Sequence, residues 1–486
     1  MINLKIISKI TGILLLIESG ILLLCSLLPL CYGERDFFAF LASALIAACM
    51  GLGLYILGTQ DGASRNISKR DGYIVVVLCW VAFSIAGAFP FYLSNSLDNY
   101  PDAFFETLSG FTTTGASLIR DLESMPHGIL FWRSLTQWIG GLGIVFFTVA
   151  VLPVFGIGEV QLFAAEATGP IRGKLHPRIS TSGRWILTMY VVLTIACTIC
   201  LWICGMTPFD SINHGLCTIA TGGDSTKNDS IAYFNSPAIE WVITLFMFLS
   251  GVNFGLLFAV FFKGKIRKLA NDTEFIWYTL TTLGVIIIVI AGLTLTGHED
   301  FLTAVRHATF QVIATITTTG YIATDFNQWH PALWLVLGVC MYMGACAGST
   351  TGAMKSVRTL VLFRALKNEF NHILHPNAVL PIRMNGKVLP PSTRISVLAF
   401  TVFYFGIILF SWIFFTMMGI DAIESYSLSI SFIGNHGVVF GNAGSMIEIA
   451  DLPSMAKWYG LLLMLVGRLE IFSVLIIFMP SFWKRR

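Results

Sequence analysis

Apolar residues run along this chain in blocks, and the blocks come in two lengths. Ten blocks reach the ~20 residues that a bilayer-crossing helix needs, at about 10–31, 37–58, 73–94, 128–152, 184–205, 238–262, 276–297, 332–364, 395–418 and 457–480. Four shorter stretches lie between them, at 101–114, 209–221, 301–319 and 422–436. Threaded with Thr, Ser, His and Asp, they make poor spans and predict re-entrant helices that enter the membrane and turn back. The first long block follows Lys5 and Lys9, outruns the apolar core of a signal peptide and lacks a small-residue cleavage site, so it reads as a retained span.

Composition agrees with the pattern. Hydrophobic residues make up 55% of the chain and charged residues 12%, against roughly 25% charged in soluble domains. An all-α polytopic protein embedded in a lipid bilayer follows. The net charge of +3 offers no basic face for nucleic acid. Charge also sorts by side. One set of loops carries Arg65, Lys69 and Arg70; Arg172, Lys174, Arg178 and Arg184; Lys263, Lys265, Arg267 and Lys268; and Arg364, Lys367, Arg383 and Lys387, with Lys484, Arg485 and Arg486 at the end. The other side has Arg120, Lys227 and Arg306 among many acids, including Asp98, Asp121, Glu123, Asp224, Asp229, Glu299 and Asp325. By the positive-inside rule both termini are expected in the cytoplasm, with the re-entrant loops facing outward.

After the first two spans, the order span, short helix, polar turn, span occurs four times. The turns read Thr112-Thr-Thr-Gly115, Ile219-Ala-Thr-Gly222, Thr317-Thr-Thr-Gly320 and Gly434-Asn-His-Gly437. Near the start of the short helix stand Asp102, Asp210 and Glu424, with His307 in the comparable place of the third; an acid there complements the helix dipole. The repeat divides the chain into 1–70, two N-terminal spans, and pore units at 71–160, 161–265, 266–385 and 386–486. A dehydrated cation needs oxygens to replace its water shell. Backbone carbonyls supply them without full charges, and glycine lets irregular backbone turn them toward an axis. The candidate filter is therefore Thr113, Thr114 and Gly115; Ala220, Thr221 and Gly222; Thr318, Thr319 and Gly320; and Asn435, His436 and Gly437. One such turn is only a turn; four in register on one side of the membrane point to a pore.

The block from 332 is too long for one straight span. Its middle contains Gly344, Gly348, Ser349, Thr350, Thr351 and Gly352, small residues of poor helix propensity, and then meets Lys355 and Arg358. A broken helix whose loop crosses the pore and must move for conduction is one reading; a helix packing through Gly344, Gly348 and Gly352 is the other. Arg468, in the middle of the last block, is either a pore-facing cation or half of a buried ion pair.

Other chemistry is thinly represented. The ten cysteines lie mostly inside apolar runs, so the spacing of Cys197 and Cys200 reads as inert thiols rather than a redox or zinc pair. His214, His307 and His436 fit hydrogen-bonded roles better than a proton relay. No metalloprotease, nucleophile-elbow or phosphate-loop motif is present, which argues against an enzyme and against a cofactor. Repeats running in one sense argue against an organic-solute transporter built from inverted halves.

The residues Phe111-Thr-Thr-Thr-Gly-Ala-Ser117, Gln137-Trp-Ile-Gly-Gly-Leu-Gly143, Ile219-Ala-Thr-Gly-Gly-Asp-Ser225, Ser250-Gly-Val-Asn-Phe254, Ile316-Thr-Thr-Thr-Gly320, the 344–352 segment and Gly467-Arg-Leu-Glu-Ile-Phe472 together resemble the Trk/Ktr/HKT superfamily of potassium transporters, in its TrkH-type branch. The likeness runs from about residue 70 to the C-terminus. It implies K⁺ as the transported ion, with Rb⁺ as a surrogate, K⁺ bound at the filter residues and an intramembrane gating loop. It also implies a homodimer in the bacterial inner membrane and a cytosolic nucleotide-binding ring of the TrkA type; any nucleotide acts only through that partner. Plant relatives that pass Na⁺ carry serine at the first filter glycine, so Gly115 favours K⁺. The fourth unit departs most, with Asn435-His-Gly-Val-Val-Phe-Gly441 where relatives often carry Asn-x-Gly-Pro-Gly.

Overall fold

Glycine sets how the chain begins. The computed structural model describes residues 2–59, 68–143, 179–378, 380–439 and 449–484. In it α1 (Leu4–Cys25), continued by α2 (Leu27–Tyr32), packs along α3 (Phe37–Thr59). A Cβ on Gly12 would stand 2.6 Å from the Tyr55 nitrogen and one on Gly51 2.9 Å from the Gly12 carbonyl, so the two backbones touch as only small residues permit. The pair is tied to the rest of the chain at α4 (Lys69–Gly87). There Ser68 and Asp71 form a capping box and the Asn3 amide donates to Asp71 Oδ1 at 2.9 Å.

The helices continue as α5 (Phe89–Leu93), α6 (Tyr100–Phe111), α7 (His127–Leu142), α8 (Ile179–Ile203), α9 (Pro208–Ala220), α10 (Pro237–Ser250), α11 (Phe254–Phe261) and α12 (Ile266–Ala270). Then come α13 (Thr273–Leu295), α14 (Phe301–Ile316), α15 (Pro331–Cys340) and α16 (Ser356–Leu374). A two-stranded hairpin, β1 (Arg383–Met384) with β2 (Lys387–Val388), precedes α17 (Pro391–Met417), α18 (Ala422–Gly434), α19 (Ser454–Arg468), α20 (Ile471–Leu475) and α21 (Pro480–Trp483).

Among the described residues six helices are long and apolar enough to cross a membrane, and they coincide with six of the ten expected spans. The blocks at 238–262 and 457–480 are not straight: α10 meets α11 at 107°, and Ser454–Arg468 meets Ile471–Phe478 at 113°. The block from 332 is interrupted by non-helical residues 341–355, and of 128–152 only the part through Gly143 lies within the described residues. Arg65, Arg172, Lys174, Arg178, Gly441 and the expected boundary at 160/161 fall outside them.

The four short helices form where expected, and each has a local reason to start. Asn99 caps α6, Thr207 caps α9, Asp300 caps α14 and Asp421 caps α18, each side chain accepting from a backbone amide of the first turn. In the third helix the acid at the start is Asp300. His307 instead lies a turn further on and pairs with Glu299 at 2.8 Å.

Candidate ion pathway

Each short helix ends in the same backbone device. Two residues past a buried apolar residue, Phe111, Ile219, Ile316 or Ile433, the chain turns left-handed at Thr113, Thr221, Thr318 and Asn435, with φ of 54°, 55°, 57° and 56°. The next residue's amide then reaches back to a carbonyl in the helix: Thr114 to Ser109, Gly222 to Cys217, Thr319 to Ala314 and His436 to Ser431, at 2.9–3.0 Å. The residue after that is a glycine, again left-handed: Gly115, Gly223, Gly320 and Gly437, with φ of 75°, 77°, 79° and 69°.

The four turns meet one another in cyclic order. A Cβ on Gly115 would strike the carbonyl oxygen of Gly222, one on Gly223 that of Thr319, one on Gly320 that of His436, and one on Gly437 that of Thr114. The series closes on itself, so the four helix C-termini, with their negative dipole ends, converge on one ring of backbone. Positive φ and a neighbour's carbonyl both exclude a side chain at these glycines.

The ring corrects the second turn by one residue. Sequence matching pairs Gly222 with Gly115, Gly320 and Gly437, but Gly222 holds the place of Thr114, Thr319 and His436, and the missed Gly223 is the left-handed glycine. Ala220 is the last residue of α9 and corresponds to Thr112. Thr113, Thr114, Gly115, Thr318, Thr319, Gly320, Asn435, His436, Gly437, Thr221 and Gly222 all lie in the ring turns.

The long break in the third unit lies against the ends of three short helices. Thr350 Oγ1 donates to the Ile219 carbonyl at 3.1 Å and accepts from Thr221 Oγ1 at 3.2 Å. The Gly352 amide donates to Thr318 Oγ1 at 2.8 Å, and the Ala353 amide to the Gly434 carbonyl at 3.0 Å. Gly348 is left-handed against Asn253, whose Nδ2 donates to the Ala347 carbonyl at 2.6 Å, while Glu274 Oε1 accepts the Ala347 amide at 2.5 Å. The Gly344 amide closes on the Met354 carbonyl at 2.8 Å. Ser349 and Thr351 share a hydroxyl contact of 2.8 Å, and Lys355 Nζ curls back onto the Thr351 carbonyl and hydroxyl. Gly344, Gly348 and Gly352 are not on a helix, so the helix-packing alternative does not hold.

Arg468 ends α19 and joins this loop to a neighbouring unit. Its guanidinium donates to the Thr350 carbonyl at 2.7 Å and to the Gly140 and Gly141 carbonyls at 2.6 and 3.0 Å. Glu470, left-handed at φ 64°, pairs instead with Arg358 at 2.7 Å, and Arg358 also lies 3.8 Å from the Phe400 ring centroid.

Sequence reasoning missed the groups that hold the ring from behind. Arg133 on α7 is buried and binds Glu106 and Asp224, both at 2.7 Å, joining the first and second units. One turn along the same face, Gln137 Nε2 donates to the Gly222 carbonyl at 2.9 Å. A cation and an amide one turn apart in an apolar block were the available signal. His214 is spoken for, with Nδ1 at 2.8 Å from the Asp210 carbonyl and Nε2 at 3.0 Å from Ser225 Oγ.

Comparison with known proteins agrees with this architecture. The family model TrkH, described as cation transport protein, matches residues 37–485. The Trk system potassium uptake protein TrkH of Salmonella typhimurium is 35% identical over 485 residues, 99% of each chain. TrkG of Escherichia coli, also a Trk system potassium uptake protein, is 35% identical over 486 residues and 99% of each. The crystal structure of the potassium transporter TrkH from Vibrio parahaemolyticus matches with a TM-score of 0.89 at 33% identity, covering 99% of both chains. These relatives are transport proteins rather than enzymes, and the present chain, a multi-pass membrane protein, belongs with them to the TrkH family of cation transport proteins.

Proposed function

We propose that the chain takes up K⁺ across the bacterial inner membrane through the ring of four turns, with the loop at 341–355 as its gate. The observation that carries this is the cyclic contact of the four glycines with the next turn's carbonyl. A ring made of backbone can replace a cation's hydration without trapping it as full charges would. Each turn holds two left-handed residues separated by one of ordinary φ, and the helix dipoles favour positive charge at the ring they form. The units at 71–160, 161–265, 266–385 and 386–486 each supply one wall, with the turn sites as corrected above, and the hairpin in 1–70 flanks them.

The loop acts as a gate because it rests on Ile219, Thr318 and Gly434 at the ends of three short helices and is pinned by Arg468. Moving it exchanges a small set of hydrogen bonds. Both termini lie in the cytoplasm, two copies form the functional dimer, and a cytosolic nucleotide-binding ring of the TrkA type sets the gate; these follow from the charge pattern and the family resemblance. The test is Rb⁺ uptake into liposomes containing the purified protein, with K⁺-dependent growth of a host lacking K⁺ uptake alongside. Flux that is absent in liposomes and growth that is not rescued would reject the proposal.

A further inference from the structure

The four ring turns are alike in backbone and unlike in what holds them. In the first, the Thr112 and Thr114 hydroxyls meet at 2.8 Å; in the third, Thr317 and Thr319 do the same at 2.8 Å. In the fourth, Gly434 takes the place of the first threonine, and the His436 ring fills the space, its Cε1 2.6 Å from where a Cβ on Gly434 would stand. The second turn has Ala220 and Gly222 at these places and no hydroxyl pair. A Cβ on Gly222 would land on the carboxamide of Gln137, a fully buried side chain that comes from the first unit.

That carboxamide grips two consecutive peptide groups. Nε2 donates to the Gly222 carbonyl at 2.9 Å, and Oε1 accepts the Asp224 amide at 3.3 Å. Because each peptide is a rigid trans plane, holding the Gly222 oxygen orients the plane before Gly223, and holding the Asp224 nitrogen orients the plane after it. In that second plane carbonyl and amide point in opposite directions, so the Gly223 oxygen is aimed away from Gln137. Without the clamp, two adjacent glycines would leave this quarter of the ring the freest to turn.

We infer that Gln137 is a positioning residue for ion discrimination, supplying the second turn from outside with the fixation that threonine pairs give the first and third. The inference rests on the ring being the ion path. It is tested by K⁺/Na⁺ permeability ratios of the full-length protein in liposomes, for Gln137→Leu, Gln137→Ala and the double variant Gln137→Ala with Gly222→Ser, beside Gly115→Ser. Gln137→Leu is expected to lower the ratio about fivefold, the scale of one lost neutral hydrogen bond, through increased Na⁺ passage and without loss of K⁺ flux. A merely structural defect would lower both fluxes together. Serine at 222, with ordinary φ and the amide's space vacated, is expected to restore part of the ratio lost in Gln137→Ala. Wild-type ratios in both single Gln137 variants overturn the inference, as does failure of all three Gln137 variants to fold, which would make Gln137 a folding residue. If Gly115→Ser also leaves the ratio unchanged, the ion-path reading falls; if only Gly115→Ser lowers it, this inference alone falls.

Discussion

The helices that follow the second and fourth turns break at tight corners, whereas the one that follows the third breaks over residues 341–355. At the corner between α10 and α11, Asn253 satisfies the freed backbone locally, its Oδ1 accepting from the Gly255 and Leu256 amides at 2.9 and 3.2 Å. The corner before α20 uses one left-handed residue, Glu470, anchored on Arg358. The long break is different. Many of its polar backbone groups are met by other elements: Glu274, Asn253, Thr318, Gly434 and Arg468. Irregular backbone inside a membrane must be satisfied by something, and the choice of partner decides what it can do. The 251–253 corner still leans on the long break, its Gly251 carbonyl accepting the Cys346 amide at 2.9 Å and its Phe254 amide donating to the Gly348 carbonyl at 3.1 Å, but one side chain, Asn253, caps the helix that follows it. A segment satisfied by its surroundings holds its place only as the sum of contacts that another conformation can release.

Shortening the long break within 344–352 tests that contrast most severely. Basal Rb⁺ flux into liposomes is expected to rise tenfold or more, a barrier change of at least ~1.4 kcal/mol, while an equal deletion at 251–253 should abolish folding instead. Unchanged flux in a folded loop-deletion protein would show that the loop obstructs nothing.

Next in size are Gly115→Ser, Gly223→Ser, Gly320→Ser and Gly437→Ser. Left-handed backbone costs an L-residue roughly 1–2 kcal/mol, before the neighbour's carbonyl is displaced. Each should reduce K⁺ over Na⁺ discrimination, measured as a permeability ratio. Four wild-type ratios would dissolve the ring as the site of selection.

Neutralising Arg468 should raise basal flux several-fold in both Arg468→Ala and Arg468→Gln. A unit charge ~6 Å from the path is worth at most about 3 kcal/mol at an effective dielectric of ~20, before solvent screening. Arg468→Lys is expected to fall between them and the parent, because one ammonium cannot reproduce a planar fork that spans the Thr350 and Gly140 carbonyls. Reduced uptake per folded molecule in the neutral variants would turn Arg468 from an obstacle into a support.

The smallest effect belongs to Glu274. Glu274→Ala leaves the Ala347 amide without its acceptor and should increase flux by a fewfold, the scale of one ordinary hydrogen bond of ~1 kcal/mol. Glu274→Gln keeps an acceptor oxygen and should stay near the parent. Equal flux in all three proteins would remove Glu274 from the loop's anchorage.

How much of this was legible beforehand depended on whether the physics was local. Block length and the acids Asp102, Asp210 and Glu424 marked the short helices, and the small residues from Gly344 to Gly352 running into Lys355 marked the long break. In the second turn Thr221 is followed by two glycines, and sequence matching takes the first, Gly222, one place short of the left-handed Gly223. A local mark was nonetheless present: the left-handed glycine is the fourth residue after an apolar residue at or one place before the end of each helix, Phe111, Ile219, Ile316 and Ile433. The corners at 251–253 and 469–470 lie inside continuous apolar blocks, where composition carries no sign of direction. Arg133 and Gln137 have partners roughly ninety residues away in sequence (Asp224 and Gly222), and such pairings exist only once the helices have met.

A ring whose four walls are written separately in one chain differs in heredity from a ring of identical subunits. In a homotetramer any codon change alters every quarter at once, so the filter must survive each step fourfold. Here one codon reaches one wall. The second could lose its threonine pair and borrow a carboxamide from its neighbour, and the fourth could fill the same space with an imidazole, while the first and third stayed as they were. Such a ring can be altered a quarter at a time, and the differences among its four walls are of the kind that only separate codons allow.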